Sequence, residues 1–263
     1  MPERTYTRRS ILRAATLLPA AVVTAAIIHE SMIGKEIDLA EYKATTIAHN
    51  AALNPEKLYR AINSSANFVE VDITMVDGKP VVAHTPAEYR ELGENQRKLQ
   101  DVGRILGIIK DAGKHPMFDL KDEVIELSDL QSVHNLLLGD QLAMASSNRH
   151  KLLESLRGSG FDGIILYSIG TKETFKGFEL PNLDPSTTGV SIQWKLLRDG
   201  GADRIKGMGL AIAAWNPKSP EEIRETCNFG IDMLTSDNLE LLNKIGKSGI
   251  MVAGQEHQLP PVG

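Results

Sequence analysis

The chain has 263 residues, 42% of them hydrophobic and 24% charged. That is enough to bury the core of one α/β barrel of roughly 200–250 residues. Its formal charge of −5 argues against a general nucleic-acid surface, and a single cysteine, Cys227, excludes an internal disulfide. Stability must come from the core, and Cys227 reads as a small buried hydrophobe.

The stretch "RTYTRRSILRAATLLPAAVVTAAII" places Arg8 and Arg9 before an apolar run from Ala14 to Ile28. The pattern predicts a twin-arginine export signal over residues 1–28, with a periplasmic or extracellular destination. The run is short for a membrane span; left uncleaved, it would anchor the protein beside a membrane. These residues carry four arginines against one glutamate, so the remainder has a charge of −8. A barrel domain is expected over residues 29–250, and a loose tail over 251–263.

Eight apolar, β-branched runs follow in order: "TTIAHN" (45–50), "FVEVDITM" (68–75), "PMFDLK" (116–121) and "LAMASS" (142–147), then "GIILYSI" (163–169), "GVSIQWK" (189–195), "GLAIAAWN" (209–216) and "DMLTSD" (232–237). A ninth, "PVVAH" (80–84), returns through the turn "VDGK" as the second arm of a hairpin. Between the strands lie helical stretches that open on capping residues: Asn54 with Pro55, Ser147, Ser219 with Pro220, and Asn238. Several close on glycine, at Gly158, Gly230 and Gly246. Eight strand–helix units in one domain predict an α/β fold of the (β/α)8 TIM-barrel type, with a doubly wound open sheet as the alternative.

The polar residues gather at one level. His49 closes the first strand, Glu70 and Asp72 share a face of the second, and His84 closes the hairpin arm. Asp119 and Lys121 close the third long run, and Trp215 closes the seventh. Barrel active sites sit at the C-terminal ends of the strands. Glu70, Asp72 and Asp119 offer oxygen-only ligands, which suit a divalent metal, Mg²⁺ or Ca²⁺; the bland alternative is a cluster neutralised by Lys121 alone. His49 and His84 then form a candidate acid–base pair for phosphodiester cleavage. Ser146, Ser147, Tyr167 and Gln193 are further candidates for the pocket wall. The remaining histidines read as surface or loop residues, and the loop from Gly170 to Thr188 is long enough for a lid.

The segment "IAHNAALNPEKLYRAINSSANFVEVDITMVDGKPVVAHTP" resembles the opening of the glycerophosphodiester phosphodiesterases, metal-dependent TIM barrels of the phospholipase-C-like phosphodiesterase superfamily. "GLAIAAWNPKSPEEIRETCNFGIDMLTSDN" is similar to their Trp-bearing strand and final acidic strand end. The resemblance implies catalytic roles for His49 and His84 and metal ligation by Glu70, Asp72 and Asp119. It places Lys121, Trp215 and Asn50 with the substrate, a small-molecule or lipid phosphodiester, in a monomeric protein associated with a membrane at most peripherally or through its anchor. Asn50 stands where the family has arginine, "DLK" replaces Glu-x-Lys, and the segment from His84 to Asp119 is short. These departures resemble the sphingomyelinase-D-like phospholipases, which form a cyclic phosphate, and "AHTPAEY" is similar to a menorin-like segment. A non-catalytic binding protein on the same barrel is the reading from another class.

Overall fold

Strand propensity and parity build this molecule from the inside out. The structure, a computed structural model, describes residues 38–121, 125, 127–137, 142–179, 188–245, 250–252 and 255–257. Its strands are β1 (Thr45–Ala48), β2 (Phe68–Val76), β3 (Lys79–Val82), β4 (His115–Leu120), β5 (Met144–Ser147), β6 (Ile164–Ile169), β7 (Thr188–Gln193), β8 (Ala211–Trp215) and β9 (Met233–Ser236). The helices between them are α1 (Pro55–Ile62), α2 (Pro86–Glu91), α3 (Glu94–Leu99), α4 (Val102–Asp111) and α5 (Leu130–Leu137). After β5 come α6 (His150–Gly158), α7 (Lys172–Gly177), α8 (Gly201–Gly207), α9 (Pro220–Asn228) and α10 (Leu239–Leu242).

Eight of these strands run parallel in the order β1-β9-β8-β7-β6-β5-β4-β2, and pairing of β1 with β2 closes the ring. This is the (β/α)8 barrel, not the open sheet. β3 adds to β2 as an antiparallel arm. Its turn carries Asp77 and Gly78 at φ 51° and 73°, the paired positive angles that a tight two-residue hairpin turn needs.

Every second residue of a strand faces the lumen. Ile47, Phe68, Met117, Met144, Ile164, Leu166, Ala211, Ala213 and Met233 fill it as one buried cluster. Each large member contributes about 1.5–3 kcal/mol on full burial, enough to support a polar layer above. Gly189 faces Leu166 and Ala211, where a Cβ would fall 2.7 Å from the Ala211 carbonyl oxygen; only glycine fits that approach. The outer strand faces pack against Ile105 and Ile109 of α4, Leu152, Leu153 and Leu156 of α6, and Ile223 of α9.

The caps at Asn54, Ser219 and Asn238 form as expected, each side chain accepting a backbone N–H of its helix's first turn. Ser147 does not cap α6. It is buried on β5, where its hydroxyl donates to Leu120 O at 3.1 Å, and the helix starts three residues later. Gly230, at φ 64°, terminates α9, but after α6 the left-handed residue is Gly160 rather than Gly158. Three short helices, α2 to α4, occupy the stretch between His84 and Asp119.

The loop after Gly170 contains α7, while residues 180–187 lie outside the described residues, as do Gly246 and the export segment read over residues 1–28. Among the described residues no helix is long and apolar enough to cross a membrane. Near the C-terminus, β10 (Ile250–Val252) and β11 (Gln255–His257) pair antiparallel across the boundary drawn between the barrel domain and the tail read over 251–263.

Candidate metal and acid–base site

The parity that fills the lumen also builds the site. Two residues beyond Ile47 stands His49; beyond Phe68 stand Glu70 and Asp72; beyond Met117 stands Asp119; beyond Ala213 stands Trp215. Register then brings them side by side, with Asp72 opposite Asp119 and Asp119 opposite Ser146. The polar layer thus lies on the apolar floor, at the C-terminal mouth of the barrel.

Glu70, Asp72 and Asp119 each place one carboxylate oxygen within 4.8 Å of the others. Burial pushes the Glu70 carboxyl up to about 7, against the pull of His49, and Asp72 and Asp119 push it further the same way. The Asn50 N–H, 2.7 Å from Glu70 Oε2, works in the opposite direction. Asn50 achieves this in the left-handed region at φ 50°, a conformation that asparagine tolerates better than most residues.

Asp72 is fully buried and faces Lys121 Nζ at 2.7 Å and His84 Nδ1 at 3.0 Å. Burial nevertheless holds its carboxyl above the usual range, outweighing Lys121. Both Asp72 oxygens have ion-pair distances but no partner in hydrogen-bond geometry. Asp119 accepts the Ser146 hydroxyl at 2.8 Å and pairs with Lys121. The Lys121 ammonium is lowered by burial, but Asp119 and Asp72 more than reverse this and hold it above its ordinary value.

Three converging carboxylates against one lysine leave excess negative charge in a buried place, which is costly unless a cation compensates it. The all-oxygen donor set fits a hard divalent ion.

His49 and His84 stand on either side of this cluster. His49 Nε2 lies 3.6 Å from Glu70 Oε2, and its Nδ1 lies 2.9 Å from Asp237 Oδ1. The Asn50 side-chain amide is also close, 3.1 Å from Nδ1. Burial lowers the imidazole's proton affinity, but the Asp237 bond and the charges of Glu70 and Asp72 carry it above its ordinary value. His49's hydrogen bond in turn holds the Asp237 carboxyl below the usual range.

Asp237 is the site residue that sequence reasoning missed. Its signal was parity: it lies two residues beyond Thr235, itself opposite Trp215. If Asp237 orients His49, Asp237→Ala lowers kcat by about 10²-fold with KM little changed; steady-state kinetics on both proteins check this.

Trp215 is half-buried at the rim, close enough that a methyl group at Gly170 would come within 3.9 Å of its ring. Gln193 pairs with it in register. Ser147 and Tyr167 take the other parity and leave the pocket; Tyr167 packs outside the barrel against His150 and Phe178. His134 is buried on α5 rather than at the surface. Cys227 is half-buried, and burial pushes its thiol up to about 11, away from nucleophilic use.

No protein-family model and no curated protein matches the chain. Solved structures do. A phosphodiesterase from Oleispira antarctica, in complex with the product sn-glycerol-3-phosphate, superposes with a TM-score of 0.62 at 19% identity, covering 76% of this chain and 96% of that one. Glycerophosphodiester phosphodiesterases from Parabacteroides distasonis and Thermotoga maritima superpose with TM-scores of 0.59 and 0.58, each at 19% identity and covering 76% of this chain and 95% or 96% of theirs. The chain has the TIM-barrel fold that these phosphodiesterases share.

Proposed function

We propose that the protein is a divalent-cation-dependent phosphodiesterase, a phosphoric diester hydrolase acting on glycerophosphodiesters or on the headgroups of phospholipids and lysophospholipids. The observation that carries this reading is the pair His49 and His84 bracketing three carboxylates at a barrel mouth. The similarity to a phosphodiesterase that holds sn-glycerol-3-phosphate supports it.

Glu70, Asp72 and Asp119 would hold the cation, Mg²⁺ or Ca²⁺. When bound, it supplies Lewis-acid stabilisation to the phosphoryl oxygens. Lys121, fixed between Asp72 and Asp119, adds a positive charge beside a phosphoryl oxygen. With Nδ1–H donated to Asp237, His49 keeps a lone pair on Nε2, facing the cluster, and serves as base or nucleophile. His84, anchored by Nδ1 beside Asp72, delivers a proton from Nε2 to the departing alcohol oxygen. Trp215 and Asn50 border the substrate. The twin-arginine pattern supports export, with the Ala14–Ile28 run as an anchor if uncleaved.

Attack by water breaks the P–O bond to one alcohol and leaves a phosphomonoester. Attack by a neighbouring substrate hydroxyl breaks the same bond and leaves a cyclic phosphate. Phosphorus NMR of the protein with Mg²⁺ and glycerophosphocholine separates these outcomes. We expect a phosphomonoester signal; a cyclic-phosphate signal would replace hydrolysis with cyclisation, and an unchanged substrate would count against the reading.

A further inference from the structure

We infer that a cleft behind Asp237 is a second anion site, which takes a phosphate or carboxylate group distinct from the phosphodiester at the carboxylate cluster. Arg60 of α1, Asn216 and Lys218 after β8, and Ser236, Asp237 and Glu240 at and beyond the end of β9 line a space of about 480 Å³. A water's share of the liquid is about 30 Å³, so the cleft holds an oxyanion together with part of its hydration. It shares a wall with the site already described, because Asp237 Oδ1 lies 2.9 Å from His49 Nδ1. Asp237 follows β9 and Glu70 stands on β2, two strand spacings apart around the ring. At about 4.8 Å per spacing, the two strand ends lie about 10 Å apart, beyond the reach of one phosphate group, and His49 fills the gap.

The charge of this wall sets the ligand class. Lys57 and Arg60 lie three residues apart on one face of α1. Lys57 and Lys218 are both near enough to Asp237 to help hold its carboxyl low, after the hydrogen bond from His49. None of these three cations makes an ion pair among the described residues, whereas Lys98 has Glu94 and Arg198 has Glu225. Of the two carboxylates in the lining, Asp237 is already committed to His49, so Glu240 alone opposes three positive charges. That is an excess of cations in a chain that is acidic as a whole.

The cleft is also preformed. The buried Ser236 hydroxyl donates to Pro217 O at 3.3 Å and accepts the Asn238 N–H at 3.1 Å, which ties the two loops together. Asn216 is held in the left-handed region at φ 69°, with its N–H bonded to Thr235 O at 3.1 Å. Non-glycine residues in that region collect at ligand clamps. The Asn216 side-chain amide has no partner among the described residues and adds a donor beside Lys218.

Titration calorimetry of inorganic phosphate into the full chain in EDTA tests this, since the metal-free carboxylate cluster repels anions. Phosphate should bind, and Arg60→Ala and Lys218→Ala, both at exposed positions, should each weaken it by about tenfold, the worth of one charge-assisted hydrogen bond. Lys218→Arg should retain the affinity, and Lys110→Ala, which removes an exposed charge from α4, should not alter it. Absence of binding, or binding that neither alanine variant weakens, would overturn the inference. Turnover with Mg²⁺ of glycerophosphoserine and glycerophosphoethanolamine, which differ by one carboxylate, gives the source of the anion. A preference for the serine compound in kcat/KM that Lys218→Ala removes assigns the cleft to a group carried by the substrate. No preference, beside intact phosphate binding, assigns it to a free ion. Failure to cleave either diester beside intact phosphate binding refutes the enzymatic reading and not the cleft.

Discussion

Replacing His49 or His84 with alanine lowers kcat/KM for glycerophosphocholine by about 10²–10⁴-fold each, the usual worth of a positioned acid or base. The two losses do not add, because both groups act in one proton-transfer sequence. The geometry makes the effect chemical rather than structural. His49 and His84 side chains are 21% and 38% exposed, and neither belongs to the apolar lumen cluster. Circular dichroism and thermal melts should therefore match the parent closely. His84→Ala should hurt poor leaving groups more than good ones, since an activated alcohol departs without a proton. Near-parental activity in either folded variant would remove that histidine from the mechanism.

In EDTA the protein should lose stability as pH rises from about 4.5 to 7. The cause is Glu70, whose carboxyl sits at about 7 in the fold against an ordinary 4.5, chiefly through burial. Below the lower value both states hold the proton and Glu70 contributes nothing. Between the two values the unfolded chain ionises first and is favoured, and above the upper value the penalty is constant. Its size is up to about 3 kcal/mol, which corresponds to a Tm decrease of about 6–12 °C for a domain of this length.

Glu70→Gln removes the ionisation and isolates the effect, so its melting temperature should be the flatter of the two over that range. Divalent cation should raise the parental Tm, and more at pH 7 than at pH 5, because protons compete for the same carboxylates. A parental curve no steeper than that of Glu70→Gln would contradict the buried-carboxylate account.

Much of this was legible because a β-strand has period two. Glu70 and Asp72 announce a shared face, and the strand ends at His49, Asp119 and Trp215 announce a rim. What spacing does not reveal is which end of the chain closes the ring. β1 meets β9 across nearly the whole sequence, and only that pairing brings Asp237 to His49.

Asp237 itself reads only as the last residue of the eighth run (232–237), directly before the Asn238 that caps α10, and spacing alone gives it no partner. Ser147 misled in the opposite way, since a serine before a helix looks like a cap until register places it in a buried strand. The helices α2 to α4 were obscured by length, as segments of six to ten residues carry little periodic signal.

Cation dependence of turnover tests the central claim most directly. Protein stripped with EDTA should cleave no glycerophosphocholine, and Mg²⁺ or Ca²⁺ should restore cleavage in the parent but not in Asp72→Asn. Undiminished turnover in EDTA would contradict a metal centre at Glu70, Asp72 and Asp119.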